Sequence, residues 1–304
     1  MKRGTLLEII FGLSLFLLIA GFHRQMLVIG LVAIGRGSAC PLPLVFQTAS
    51  VFAQNDENLR RIKAGSRVVR VDPASRMELW ETPRGRFWIL AQSGDAFAWD
   101  LAEQQRGIYA YKALGARAGD IVLDCGANVG VYTRIALDAG AAKVVAIEPA
   151  PENVRVLRRN FEKEAAEGRV VVYSKGVWDK EDVLPMTIDP DNSAADSFIV
   201  PRGERAEVQM LSVTTIDKIV AELGLERVDF IKFDIEGAER RALAGARATL
   251  AHYRPRMAVC VYHRRDDPWV IPAAVRAIVP QYRSECGPCL VGEARLTQEV
   301  LFFF

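Results

Sequence analysis

The chain has 304 residues, of which half are apolar and a quarter charged, enough for one large α/β domain with an N-terminal extension. The formal net charge of +2 gives no electrostatic reason to expect a nucleic-acid partner. Five cysteines are too few, and odd in number, to indicate a disulfide framework. Cys286 and Cys289 have redox-dithiol spacing, but the Gly and Pro between them favour a tight turn instead.

The N-terminus carries two apolar runs, residues 9–22 and 26–35, separated by His23-Arg24-Gln25. Each run is too short to span a bilayer, and joining them would place His23 and Arg24 near its centre. Three interpretations stay open for residues 1–48: membrane-associated helices in contact through residues 5–35, a hairpin packed on the protein, and a signal peptide.

Residues 49–98 are expected to form a small β-containing cap. Residues 50–64 are typical of a polar helix, and three short β-like runs follow at 67–71, 77–80 and 86–91. Asp72-Pro73 and the run 82–85 separate these runs as turns.

The alternation of strand and helix predicts an α/β domain over residues 99–304. After a predicted helix at 99–114, apolar strands are expected at 121–124, 143–147, 170–173, 228–233, 257–262 and 299–304. Helices are expected between them at 130–138, 151–166, 238–250 and 270–279. The pattern is typical of a Rossmann-like, mostly parallel seven-stranded sheet covered by helices on both faces.

The turn after the first strand of this domain reads Asp124-Cys-Gly126-Ala-Asn128-Val-Gly130. Glycines at a strand-to-helix turn allow a ligand to approach the backbone, but the G-x-G-x-x-G pattern of a dinucleotide phosphate site is missing. S-adenosylmethionine carries no phosphate, and an acid such as Asp124 can neutralise its ammonium group. We therefore predict that this turn binds S-adenosylmethionine.

The second strand ends in Glu148-Pro149, where an acid can accept hydrogen bonds from both ribose hydroxyls of an adenosine. The loop after the third strand contains Val177 and Trp178 and should lie beside the adenine. Trp178 either stacks on the base or belongs to the core.

Four runs resemble the FkbM family of methyltransferases: VLDCGANVGVYT (122–133), AIEPAPENV (146–154), TTIDKI (214–219) and DFIKFDIEGAE (229–239). The resemblance covers about residues 105–265. It implies an S-adenosylmethionine-dependent enzyme that O-methylates a hydroxyl of a sugar, glycan or secondary metabolite. Many members end the fifth strand with an acid, whereas this chain has Val259-Cys260-Val261-Tyr262-His263.

Catalytic groups are expected where the fourth and fifth strands end, because ligands bind at the carboxyl ends of parallel strands. We predict that Asp234 or His263 is the base that takes the hydroxyl proton, and that Glu236 orients the acceptor or binds a cation. A two-carboxylate metal site stays possible, but no metal ligands are assigned, because three oxygen ligands cannot be identified. The polar segment 189–205 is either a lid over the acceptor or an exposed loop.

Two other functions remain open: an inactive protein that binds S-adenosylmethionine, and an NAD-dependent oxidoreductase. A nucleic-acid methyltransferase is disfavoured, since no basic stripe with interleaved aromatic residues is present. The domain is expected in the cytoplasm, where the cofactor is found, with the N-terminus as a candidate membrane contact. The oligomeric state cannot be predicted.

Overall fold

The structure, a computed structural model, describes residues 26, 28, 30, 41–189, 192–200, 205–292 and 295–304. The predicted apolar N-terminal segment lies almost wholly outside these residues. None of the helices in the described ranges is long and apolar enough to cross a membrane. The first complete helix, α1 (Leu42–Gly65), begins after Pro41 and runs through the boundary predicted at residue 48.

The cap is a three-stranded antiparallel meander of β1 (Arg67–Asp72), β2 (Met77–Thr82) and β3 (Gly85–Leu90), followed by helix α2 (Gly94–Gln105). All three strands were predicted. The buried side chains of α1, β2, β3 and α2 share one apolar cluster with residues of the following domain. The cap is therefore packed onto that domain, next to its first strand-to-helix turn.

The domain has a seven-stranded sheet, and the predicted fold class is confirmed. Its strands are β4 (Ile121–Cys125), β5 (Lys143–Ile147), β6 (Val170–Tyr173), β10 (Phe230–Phe233), β11 (Arg256–Cys260), β12 (Ser284–Cys286) and β15 (Val300–Phe303). The spatial order is β12-β15-β11-β10-β4-β5-β6, and β15 alone runs antiparallel to its neighbours. The order reverses direction next to β4, which is where Rossmann-like sheets bind ligands.

Helices cover both faces of this sheet. They are α3 (Val131–Asp138), α4 (Pro151–Asn160), α5 (Glu162–Ala166), α6 (Ile216–Glu222), α7 (Glu239–Ala244), α8 (Arg247–Tyr253) and α9 (Asp267–Ile278). Alternate strand residues feed two separate cores: Leu123 and Val145 pack with α6 to α9, and Val122 and Val144 pack with α3 and α4. Successive side chains point to opposite faces of the sheet and both faces are buried, so these strands appear in the sequence as continuous apolar runs.

The sequence did not predict a second small sheet that follows β6. It contains β7 (Gly176–Val177), β8 (Asp182–Ile188) and β9 (Glu207–Thr214) in the order β7-β9-β8. Strands β13 (Cys289–Gly292) and β14 (Arg295–Gln298) form a further hairpin. Several residues of β8 and β9 are exposed, so these strands lack the apolar runs that revealed the central sheet.

The described cysteines fall into two groups. Cys125 and Cys260 are free and fully buried, and they act as small core residues. Cys289 is disulfide-bonded, whereas Cys286 is a free thiol that accepts a hydrogen bond from Gln298. Cys286 and Cys289 therefore do not form a redox pair with each other.

Candidate active site

A cleft opens at the carboxyl ends of β4, β5 and β10. Its volume is about 560 Å³, which includes open solvent at its mouth. The described residues that line it are Gly126, Asn128, Ile147, Glu148, Pro149, Lys175, Gly176, Val177, Met186, Ser193, Ala194, Asp196, Phe198, Asp234, Ile235, Glu236 and Ala238. Five predicted cofactor residues and two predicted catalytic residues are in this set, so one cleft joins the two halves of the predicted site.

The β4–α3 turn packs closely against the backbone of the loop that follows β10. Gly126 has φ +80°, and a Cβ at this position would lie 1.9 Å from the carbonyl oxygen of Asp234. The amides of Gly126 and Ala127 both donate to the carbonyl of Ile147 at the end of β5. A glycine is needed at residue 126 because the turn is held between two strands with no room for a side chain.

Glu148 is a buried carboxylate at the floor of the cleft. Its Oε2 accepts from the amide of Asn128 at 3.0 Å, and its Oε1 accepts from the amide of Ala150 at 2.9 Å. Burial raises the pKa of this carboxyl, while the two amides oppose that shift. A carboxylate has about four acceptor positions, so two amides leave capacity for hydroxyl donors from a ligand.

Asp124 does not line the cleft but forms a buried ion pair. Its Oδ1 lies 3.2 Å from the ammonium of Lys232, and its Oδ2 accepts from Thr133 Oγ1 at 2.7 Å. Lys232 also donates to the carbonyl of Gly126 at 2.7 Å. Burial lowers the pKa of Lys232, but Asp124 and Asp234 outweigh this effect and raise it overall. The charge of Asp124 is therefore balanced inside the protein, where the sequence predicted a ligand ammonium.

Two further predicted cofactor residues lie outside the described lining. Gly130 has φ +93°, and a Cβ there would lie 2.2 Å from the ring of Phe161, so this glycine serves packing. Trp178 is buried in a small cluster with Val213 and Ala238 and belongs to the core. The aromatic ring in the cleft is instead Phe198, which the sequence did not single out.

Residues 192–200, which belong to the predicted lid segment, contribute part of the cleft lining. The side-chain amides of Asn128 and Asn153 both donate to the carbonyl of Ser193, at 2.9 and 3.1 Å. At the other end, Ser197 Oγ donates to the carbonyl of Glu236 at 2.7 Å. This segment thus connects the β4–α3 turn with the loop after β10.

The three predicted catalytic residues converge beside the cleft: Asp234 and Glu236 line it, whereas His263 is not among the lining residues. Asp234 and Glu236 follow β10, and His263 follows β11 on the neighbouring strand. His263 Nε2 lies 3.5 Å from Asp234 Oδ1 and 3.4 Å from Glu236 Oε1. One ligand atom from each residue falls within a single group whose members are all within 4.8 Å of one another.

Two residues that the sequence did not assign to the site hold this group. Tyr109 donates to Asp234 Oδ2 at 2.6 Å, and Glu239 Oε1 lies 3.0 Å from His263 Nδ1. Burial raises the pKa of Asp234, but Lys232 and His263 outweigh it, so the pKa is lowered overall. Burial lowers the pKa of His263, but Glu239 and Glu236 outweigh it and raise the pKa well above its ordinary value. Glu239 lies within the I-K-x-D-x-E-G-A-E run, which was the only sequence signal for it.

Comparison with known proteins places these features in a family. The profile of the Methyltransferase FkbM domain matches residues 124–287. The chain is similar to "31-O-demethyl-FK506 methyltransferase FkbM" of Streptomyces tacrolimicus, with 31% identity over 42% of this chain and 60% of that protein. It is also similar to "Methyltransferase sdnD" of Sordaria araneosa, with 28% identity over 45% of this chain and 64% of that protein.

Among solved structures, methyltransferase FkbM of Methylobacillus flagellatus KT aligns with 90% of this chain and 65% of its own, at 18% identity and a TM-score of 0.49. The chain thus spans less than two thirds of the length of each of these three proteins. The domain match covers more than half of the chain and includes the cleft loops from Asp124 to His263. The chain belongs to the FkbM family of methyltransferases.

Proposed function

We propose that this chain is an S-adenosylmethionine-dependent O-methyltransferase that acts on a hydroxyl group of a sugar, glycan or other small metabolite. The observation that carries the proposal is one cleft lined both by the buried carboxylate of Glu148 and by the carboxylates of Asp234 and Glu236. Family membership supports methyl transfer, and the name of the Streptomyces relative refers to an oxygen as the methylated atom.

The cleft residues fit S-adenosylmethionine. Apolar side chains suited to an adenine line the cleft, namely Ile147, Val177, Met186 and Phe198. Glu148 would accept from the ribose hydroxyls with the acceptor positions that its two backbone amides leave. Gly126 lines the cleft, so part of the turn backbone is accessible to the ligand. When bound, the cofactor supplies a methyl group already activated by its sulfonium.

The chain's own residues then have to place the acceptor oxygen and remove its proton. Asp234 Oδ1 is buried and has no hydrogen-bond partner among the described residues, while Oδ2 is fixed by Tyr109. A hydroxyl that donates to Oδ1 would lose its proton to this oxygen as the acceptor is methylated. Positioning of the two reactants supplies much of the rate in such a transfer.

Calorimetry of the full chain with S-adenosylhomocysteine, S-adenosylmethionine and NAD tests the cofactor. We expect micromolar binding of the first two compounds and none of NAD. Binding of NAD without binding of either adenosyl compound would instead indicate an oxidoreductase.

Transfer of radiolabelled methyl groups to a panel of hydroxylated acceptors tests the reaction. Asp234→Asn should keep S-adenosylhomocysteine affinity within about twofold and lower turnover by about 100-fold or more. Cofactor binding with no transfer to any acceptor would favour an inactive binding protein.

A further inference from the structure

Asp234, Glu236 and His263 have the composition and spacing of a metal-ligand set. Two ligand atoms, each about 2.1 Å from one cation and about 90–110° apart, are separated by about 3.0–3.4 Å. The observed separations from His263 Nε2 are 3.5 Å to Asp234 Oδ1 and 3.4 Å to Glu236 Oε1. These distances are long for direct hydrogen bonds and lie at, or just above, the upper end of the range for a shared ion.

His263 presents a buried nitrogen to the centre of this group. Its side chain is 4% exposed, and Nε2 has no hydrogen-bond partner among the described residues. The other ring nitrogen, Nδ1, lies 3.0 Å from Glu239 Oε1, and Glu239 is fully buried. A carboxylate that accepts from Nδ1–H fixes the tautomer in which Nε2 carries a lone pair, which is how most metal-binding histidines are held.

The two carboxylates are also held in place from outside the group. Tyr109 donates to Asp234 Oδ2 and leaves Oδ1 directed at His263. Glu236 has φ +53°, a backbone conformation that is strained for a glutamate, and Ser197 Oγ donates to its carbonyl. One ring nitrogen and two carboxylate oxygens thus face one another, a set that either a cation or a proton on His263 can hold together.

We infer that Asp234, Glu236 and His263 bind one divalent cation at the acceptor end of the cleft. Two carboxylates and one imidazole form a mixed oxygen and nitrogen set that suits Mn²⁺. Mg²⁺ matches the oxygen donors and Zn²⁺ the nitrogen donor, so each of these ions suits the whole set less well. Three protein ligands leave coordination positions open toward the cleft, which Asp234 and Glu236 line.

The open positions define what the ion would do, and this role rests on the proposed function. A hydroxyl oxygen bound to the cation has a lowered pKa, so its proton passes to water in the cleft more readily. The metal would then orient the acceptor and activate it. Asp234 Oδ1 and His263 Nε2 would both act as ligands, and water would take the proton that Asp234 takes when no ion is bound. Acceptors with a second oxygen next to the methylated hydroxyl would bind best, because both oxygens can coordinate the same ion.

Mn²⁺ binding to the full chain, stripped of metal, tests the inference without any acceptor. The signal of free Mn²⁺ in electron paramagnetic resonance should fall until one equivalent is bound. Asp234→Asn and His263→Gln should each weaken Mn²⁺ affinity by at least about 100-fold, and Glu239→Gln by about 10-fold because it only orients His263. His252→Gln is the matched control, since His252 is exposed on α8 and should leave Mn²⁺ affinity unchanged.

S-adenosylhomocysteine calorimetry on the same samples separates this inference from the proposed function and shows that each variant is folded. Wild-type protein that binds S-adenosylhomocysteine but none of Mn²⁺, Mg²⁺ or Zn²⁺ would overturn the inference and identify His263 as an imidazolium bridging the carboxylates. Mn²⁺ binding that survives both Asp234→Asn and His263→Gln would also overturn it. Failure to bind S-adenosylhomocysteine together with intact Mn²⁺ binding would overturn the proposed function and leave the metal site standing.

Discussion

Glu148→Gln is the substitution that tests the cofactor end of the cleft most sharply. The side chain keeps its size, but one of its two oxygens becomes an amide nitrogen and its charge is lost. Both oxygens of Glu148 already accept from backbone amides, so the new NH₂ group must face either the amide of Asn128 or that of Ala150. The variant therefore loses one internal hydrogen bond as well as the carboxylate offered to the ligand.

The magnitude follows from these contacts. A hydrogen bond to a charged group contributes about 1.5–3 kcal/mol, and 1.4 kcal/mol is a factor of ten in affinity. If one ribose hydroxyl loses such a bond, the Kd for S-adenosylhomocysteine should rise by about 10- to 150-fold. The unpaired backbone amide should also lower the melting temperature of the free protein by a few degrees.

Isothermal calorimetry with S-adenosylhomocysteine and thermal unfolding measure the two effects separately. Glu167→Gln is the matched control, because Glu167 lies on the surface in a pair with Arg169 and should change neither quantity. If Glu148→Gln binds S-adenosylhomocysteine as tightly as the wild type, the carboxylate does not contact the ligand. The assignment of this end of the cleft to the ribose would then be wrong.

Three further predictions concern stability, each measured by urea or thermal unfolding. Gly126→Ala should lower the free energy of unfolding by several kcal/mol more than Gly119→Ala, because both glycines have a positive φ but only Gly126 also lacks space for a Cβ. Equal losses of stability would show that the loops around Gly126 move apart freely. Lys232→Met should lower the free energy of unfolding by about 3–5 kcal/mol, because it leaves Asp124 buried without its partner. Adding Asp124→Asn should recover part of this stability, whereas additive losses from the two substitutions would contradict the pairing. Burial raises the pKa of Asp100 from 3.8 to about 6, so its ionisation favours the unfolded state as the pH rises through this range, and stability is lost. Asp100→Asn should therefore raise the melting temperature at about pH 8 but not near pH 4, and a lower melting temperature at pH 8 would refute the shift.

Local sequence patterns were sufficient for the central sheet and for the loops that line the cleft. Strands such as β4 and β5 are buried on both faces, so they appear as apolar runs between turns rich in glycine or proline. The β8–β9 pair escaped prediction because its apolar residues do not follow its burial pattern. Exposure alternates along both strands, but Val183, Val208 and Met210 stand at exposed positions.

By itself the sequence determined the fold class, the family resemblance and the convergence of Asp234, Glu236 and His263, because the ends of parallel strands meet at one edge of a sheet. Only the tertiary structure decided which acids face the cleft. Asp124 turns toward Lys232, since a buried lysine on the adjacent strand requires a counter-charge, and this pairing depends on the lateral register of β4 and β10. The contact of Glu239 with His263 likewise depends on how α7 packs beside β11, a geometry that spacing along one chain does not specify.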